Sequence, residues 1–577
     1  MYVNEGVAEA TLRSLPRSWR VLSRQGRRER VPSICQVGLD ADVSIPLADG
    51  AVLRAHHFVP KLSRSVPTVL VISPYGRQFP FGHLFGAQVA GQGFQTLVVS
   101  SRGTAGSTGE WRPFRNDVED ARDVVAWLRG RPWFTGRFGT IGASYLGYTQ
   151  LAVAADSPPE LAAMVMIGAV AEPATAQWHG GVFTLESALS ASLGKEYNHL
   201  GFVRMLRATM RLARRFGAVT NGLPLVESYV QGLGRRSEAY EMMISHPDPD
   251  DQVWAGTDLR HVISRTGADV LLVSGWWDFL LPQTLDLHER LVRAGHDPRL
   301  LIGPWTHASM AGRTGWPEVL PAALTFLRSR LGVEEGDVPR VRVHVGGGTG
   351  WRGMSSWPPG DVTSMSWVLG SGGSLATESG QSGSVVLSGQ ASVIRYDPAN
   401  PTPSRGGATL SRTAGVVDNR KIEERDDVLV FTSDLLTRDV EVTGPVSAEL
   451  TLRVDGVGAD VFVRLCDVDP KGVSHNVCDG ILRLDPHREV FGPDGGVVTV
   501  SLWHAAHRFI AGHRIRVQVS GGSHPRFARS TGTGEPTATA TELRPVTIEL
   551  LHDAARPSVV ALPVSSGAPS AGAPSAD

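Results

Sequence analysis

Ser144 lies in Gly142-Ala143-Ser144-Tyr145-Leu146-Gly147, a serine hemmed in by small residues. A short apolar run, 139–143, leads into it, and an amphipathic run, 146–155, follows. That order reads as a strand, a sharp turn and a helix with a serine at the apex, where a strained backbone presents Oγ as a nucleophile. The usual pattern places glycine two residues after the serine. Here Leu146 holds that place and Gly147 comes one later. A hydroxyl nucleophile also needs a base, a group to orient the base, and donors for the oxyanion.

Ligands of parallel α/β sheets bind at the carboxyl ends of strands, so polar residues just past apolar runs are the candidates. The run at 268–275 leads into Trp276-Trp277-Asp278, and the run at 299–303 into Pro304-Trp305-Thr306-His307. Alone, Asp278 also suits a helix N-cap, and His307 a structural loop histidine. Together, Ser144, Asp278 and His307 follow the chain order nucleophile, acid, base. His307 would take the Ser144 proton and later protonate the leaving group, while Asp278 would orient and stabilise the imidazole. The Tyr145 backbone N–H is the natural first oxyanion donor. The second is expected from the loop after the strand at 68–73, where Tyr75 offers a backbone N–H or a phenol.

The elements that must hold these groups follow. Two extended runs around Asp49-Gly50 predict an entry hairpin. Near-continuous apolar runs at 68–73, 95–100, 162–170, 268–275 and 299–303 predict buried parallel strands, with a helix over 117–129 among them. The glycine-rich loop at 102–109 lacks a Walker lysine and reads as structural. Residues 171–250 read as inserted helices, including 202–216 and 224–233, of the kind that form lids. Beyond residue 335, eight or so short alternating runs predict a β-sandwich of jelly-roll type. The expected domains are a basic extension (1–35), an α/β-hydrolase domain (36–170 and 251–335), a helical cap (171–250), a jelly roll (336–560) and a disordered tail (561–577).

The 577 residues carry a net charge of −1, which gives no electrostatic case for a nucleic-acid or membrane partner. No apolar run is long enough to span a bilayer, and the arginine-rich start lacks the apolar core of a secretory signal, so a cytoplasmic protein is expected. Three cysteines make no disulfide framework, and buried free thiols are expected for Cys466 and Cys478. The 18 histidines form no metal set; His504 and His507 lie close but without ligand partners, so neither metal nor cofactor is expected.

The segments Ser73-Pro74-Tyr75-Gly76, Arg102-Gly103-Thr104, Gly142 to Gly147, Gly275-Trp276-Trp277-Asp278 and Gly303-Pro304-Trp305-Thr306-His307 resemble the cocaine esterase / X-prolyl dipeptidyl-peptidase-type hydrolases. In that family the serine motif is G-x-S-Y-x-G, which accounts for the displaced glycine. The resemblance implies the three-part build above, a tyrosine hydroxyl in the oxyanion hole at Tyr75, and the triad Ser144, Asp278 and His307. Serine 101 stands where the family often has an acidic residue before Arg-Gly. The related α-amino acid ester hydrolases carry carboxylates two and three residues past the acid; here Leu280 and Leu281 leave an ammonium without a counter-charge. The expectation is therefore a small-molecule ester, or an amide, with an apolar or aromatic acyl group. Trp178, Trp276, Trp277 and Trp305 are candidate pocket residues, with core packing as their other reading. Acyl transfer, amide-cleaving acylase or peptidase activity, and a non-catalytic binding descendant are the alternatives, and a monomer or homodimer is expected.

Overall fold

A computed structural model describes residues 31–565 apart from 79, 198–201, 378–385, 388, 412 and 485–494. The arginine-rich start and the tail from residue 566 therefore lie outside the described residues. The described residues fold into two compact units. The first is drawn from Met1–Ala176, Ala191–Met210 and Asp248–Arg340, the second from Gln177–Ser190, Arg211–Pro247 and Val341–Asp577.

The first unit is α/β-hydrolase-like. Its strands are β1 (Val37–Pro46), β2 (Val52–Pro60), β3 (Thr68–Ser73), β4 (Gln95–Ser100), β5 (Phe138–Ala143), β6 (Leu161–Ile167), β7 (Asp269–Trp277) and β8 (Arg299–Thr306). They lie in the order β1-β2-β4-β3-β5-β6-β7-β8. The first two pair antiparallel as the expected hairpin, and β3 through β8 run parallel. Every residue of β3 is buried, which is why the strands read as unbroken apolar runs rather than alternating ones. Parallel strands put their carboxyl ends on one edge, so the segments after β3, β5, β7 and β8 share it.

Helices connect these strands. Asp117–Arg129 buries Ala121, Val124, Val125 and Leu128, while Val118, expected on the same face, is half-buried. The helix after β5 is Tyr145–Ala154, and every one of its residues is buried. The expected amphipathic character is thus corrected: this helix is enclosed on all sides, and the polar Thr149 and Gln150 are tolerated because they bond inward. Thr149 Oγ1 donates to the Ile72 carbonyl at 2.9 Å, and Gln150 Oε1 accepts from Thr140 Oγ1 at 2.8 Å. The loop at 102–109 is structural: Arg102 pairs with buried Asp120 at 2.6 Å and also with Asp49.

The second unit is β-rich and mostly antiparallel. Long strands Val440–Asp455 and Gly496–Phe509 pair with each other. Ala459–Val468 pairs with both Ser474–Leu484 and Arg514–Ser520. Alternate residues such as Val461, Val463 and Leu465 enter one core with Val517, Val519 and Ile548. The strands are more numerous than the periodicity suggested: Val362–Leu369 and Ser474–Leu484 carry too many polar residues to stand out, and Val559–Ser565 is an apolar run without alternation, interrupted by Pro563. The last runs five residues into the tail expected to be disordered and corrects that boundary.

The insertion is helical, with Leu185–Tyr197, Phe202–Asn221, Leu225–Leu233 and Glu238–Ser245. It is not a unit of its own. Residues 177–190 and 211–247 belong with the β-rich unit. There the Arg483 N–H donates to the Gly180 carbonyl at 2.7 Å, the Ala528 N–H to the Phe183 carbonyl at 2.8 Å, and Thr409 Oγ1 to Glu186 Oε2 at 2.7 Å. Cys466 and Cys478 are free and buried, Cys35 free and half-buried.

Candidate active site

Ser144 sits where β5 turns into helix Tyr145–Ala154, with φ 60° and ψ −120°. A side chain in that region is strained, and the surroundings must hold it there. The Ser144 N–H donates to the Ile167 carbonyl at 2.9 Å, and its carbonyl accepts from Gly147 at 2.9 Å and Val170 at 3.2 Å. The displaced glycine has a local cause: a Cβ at Gly147 would stand 2.2 Å from that of Ala169. Ser144 itself is partly exposed, whereas the helix behind it is buried.

Asp278 follows β7 and is fully buried. Its Oδ1 lies 2.8 Å from His307 Nδ1 and accepts the Leu280 N–H at 3.0 Å; its Oδ2 accepts from Ser274 Oγ at 2.9 Å. A carboxylate so placed is an acceptor, so Nδ1 carries the ring hydrogen and Nε2 is left as the basic nitrogen. His307 opens the short helix His307–Met310. Thr306 caps it: Oγ1 accepts from the Ser309 N–H at 3.3 Å, and Ser309 Oγ accepts from the Thr306 N–H at 2.9 Å. Phe279 lies against the imidazole, 4.8 Å between ring centres.

The segment after β6 links serine to pair. Ile167 receives the Ser144 N–H, and the next residue, Gly168, stands against both partners. A Cβ at Gly168 would lie 2.6 Å from Asp278 Oδ2 and 3.2 Å from His307 Nδ1.

Tyr75 follows β3, its ring stacked on Phe81 with centres 4.8 Å apart. Its hydroxyl lies near the Ser144 side chain and the Tyr145 backbone N–H, close enough for both to act on it electrostatically. Although the residue is partly exposed overall, its hydroxyl end is desolvated, which raises the phenol pKa above its ordinary value. It therefore stays a protonated donor. The Tyr75 hydroxyl and the Tyr145 N–H thus lie beside Ser144, two groups chemically able to donate to an oxyanion.

The tryptophans differ among themselves. Trp305 is 2% exposed, its ring packed on Gly303 and its backbone on Gly275, so it fills space within the fold. Trp277 is buried and Trp276 half-buried at the end of β7. Trp178 belongs to the other unit, where its indole N–H donates to the Met243 carbonyl at 2.8 Å. Ser274, Gly168 and Phe279 escaped the reading from sequence. Ser274 left one signal, a lone polar residue in the apolar run of β7; Gly168 left none beyond being a glycine at a strand end. Among the described residues no group of three or more His, Cys, Asp or Glu is arranged to hold a metal ion. His507 instead bonds Asp467 at 2.9 Å, and His504 bonds the Trp357 indole at 3.1 Å. No helix among the described residues is long and apolar enough to cross a membrane.

Comparison with known proteins gives a consistent picture. The sequence profile of the X-Pro dipeptidyl-peptidase (S15 family) matches residues 49–309. That of the X-Pro dipeptidyl-peptidase C-terminal non-catalytic domain matches residues 334–561. The chain is 30% identical to cocaine esterase from Rhodococcus sp. (strain MB1 Bresler) over 538 residues, covering 86% of this chain and 92% of that one. In structure it is similar to an aminopeptidase from a marine sediment Thaumarchaeota archaeon, with TM-score 0.76, 22% identity, and 92% and 97% of the two chains covered. An α-amino acid ester hydrolase is similar to the same degree, with TM-score 0.76, 21% identity and the same coverage.

Proposed function

The chain belongs to the X-Pro dipeptidyl-peptidase (S15) family of serine hydrolases, to which it is tied by its match to cocaine esterase, and on that premise we propose that it cleaves an ester through Ser144, His307 and Asp278. His307 Nε2 accepts the Ser144 proton as Oγ forms a bond to the substrate carbonyl carbon. The carbonyl π pair moves onto oxygen, where the Tyr75 hydroxyl and the Tyr145 N–H donate to it. Collapse re-forms the carbonyl and expels the alkoxide, which takes the proton from His307. Water, deprotonated by the same imidazole, then attacks the acyl-enzyme and releases acid and free Ser144. Asp278 accepts the Nδ1–H throughout.

The observation that carries this reading is strained Ser144 at the strand–helix turn, bonded through its N–H to Ile167, with the hydrogen-bonded Asp278–His307 pair against the next residue, Gly168. An ester is favoured over an amide because an alkoxide leaves more readily than an amine. An apolar or aromatic acyl group is favoured because Leu280 and Leu281, past Asp278, are buried and apolar and offer an ammonium no counter-charge. We assign residues 171–250 to a cap inserted in the sequence rather than a compact unit of its own, the β-rich region to a jelly roll, and the hydrolase domain to 36–170 and 251–335. Three free thiols fit a cytoplasmic site of action. The test is turnover of p-nitrophenyl esters of graded acyl length and aromaticity, with fluorophosphonate labelling. Wild type should turn over and label once per chain, and Ser144→Ala should do neither. Undiminished turnover by Ser144→Ala would overturn the assignment.

A further inference from the structure

Tyr145 contributes its backbone to the oxyanion site, while its side chain serves a separate arrangement. The phenol oxygen accepts the Phe114 N–H at 2.7 Å and donates its own hydrogen to Asp117 Oδ2 at 3.0 Å. The Phe114 ring stacks on the Tyr145 ring, centres 4.5 Å apart and planes 20° apart. Phe114 is one of the few non-glycine residues with positive φ, 65°. It is held there from a second side by Tyr148, whose hydroxyl donates to the carbonyls of Phe114 at 3.2 Å and Thr257 at 3.0 Å. Residues 114–117 are thus fastened to the first turn of the helix that begins with Tyr145.

Asp117 is the costly member of this group. It opens helix Asp117–Arg129, and among the described residues no guanidinium or ammonium pairs with it; nearby Asp120 takes Arg102 instead. Desolvation pushes its carboxyl up to about 7, against the opposing bond from Tyr145. A carboxyl in such a place needs a reason beyond filling space. One donor and one acceptor on the phenol oxygen fix the ring both in plane and along its axis, and the ring fixes the residue's backbone.

We propose that Asp117 is a positioning residue for ester cleavage: through the Tyr145 hydroxyl it fixes the backbone N–H that donates to the oxyanion. The inference rests on the reading of Tyr145 as an oxyanion donor. An N–H displaced by a fraction of an ångström loses transition-state stabilisation while ground-state binding is little changed.

Steady-state kinetics on a p-nitrophenyl ester, beside fluorophosphonate labelling to completion, test it with four variants. Asp117→Leu and Tyr145→Phe should each lower kcat about tenfold with KM within about twofold of wild type. Asp117→Asn keeps an acceptor oxygen in the same place and should recover most of kcat. Because Tyr145→Phe removes only a hydroxyl, it decides the matter if Asp117→Leu does not fold. Wild-type kcat in Tyr145→Phe, or Asp117→Asn as impaired as a folded Asp117→Leu, would overturn the role. Ser144→Ala separates the two levels. If it is inactive while Tyr145→Phe is unimpaired, only the positioning role falls; if it is active, the hydrolase assignment falls first.

Discussion

Gly168 stands against the Asp278–His307 pair with no room for a side chain. Its φ of 48° already favours glycine, and an added Cβ would meet Asp278 Oδ2 at 2.6 Å and Met310 Cε at 2.7 Å. Gly168→Ala must push the carboxylate or the imidazole aside. A shift approaching 1 Å at a catalytic pair costs on the order of a hundredfold in rate. The expected outcome is a kcat lowered by about that factor, in a protein that still unfolds cooperatively. Wild-type kcat would show that the contact relaxes freely. The residues proposed to do chemistry could be picked out because their types are rare and their order is suggestive: one serine among glycines, one aspartate and one histidine past successive strands. Gly168 and Ser274 were not, because their roles depend on partners from other elements: Asp278 and His307 around Gly168, and Asp278 above Ser274.

At the scale of elements, helix Leu281–Arg293, which the sequence reading did not single out, shows what sequence hides. It buries Leu285, Leu287 and Leu291. It also buries two polar residues. Gln283 holds the loop after β6: its Oε1 accepts the Ala171 N–H at 2.7 Å, and its Nε2 donates to the Glu172 carbonyl at 2.7 Å. His288 is 5% exposed, and desolvation lowers its pKa from 6.5 to about 4. The folded protein therefore keeps this imidazole neutral at pH values where the unfolded chain binds a proton. Stability from this group is complete above pH 6.5 and is lost as pH falls toward 4. Urea unfolding at pH 7 and pH 5 should differ by about 1–2 kcal/mol more in wild type than in His288→Leu. Equal differences would show that His288 does not titrate on unfolding. The helix after β5 was misread for a related reason. A helix enclosed on every side loses the polar stripe that periodicity relies on, and its two polar residues alone suggested a solvent face.

At the scale of the molecule, the two classes of sheet were plain: unbroken apolar runs in the first unit, alternation in the second. The path of the insertion was not, because nothing local marks which unit a helix joins. Residues far along the chain supply hydrogen bonds to both segments: Arg483, Ala528 and Thr409 to Gly180, Phe183 and Glu186 of 177–190, and Arg529 to the Asn221 carbonyl of 211–247. A chain ended at residue 340 should expose Trp178, Phe183 and Tyr240, which are buried in the whole protein, and should elute from a sizing column as aggregate. A soluble, monomeric fragment would show that these segments are satisfied without the β-rich unit.

The same dependence sets an order on biosynthesis. His524 Nε2 meets Asn221 Oδ1 at 2.9 Å, 303 residues apart in the chain. At about 5–20 residues per second, roughly 15–60 s pass between the emergence of one partner and the other. For that interval the partners that cover Trp178, Phe183 and Tyr240 in the whole protein are still to be made, so the expected outcome is that ribosome-bound chains stalled before residue 340 are cleaved by protease within 177–247 while released full-length chains are not.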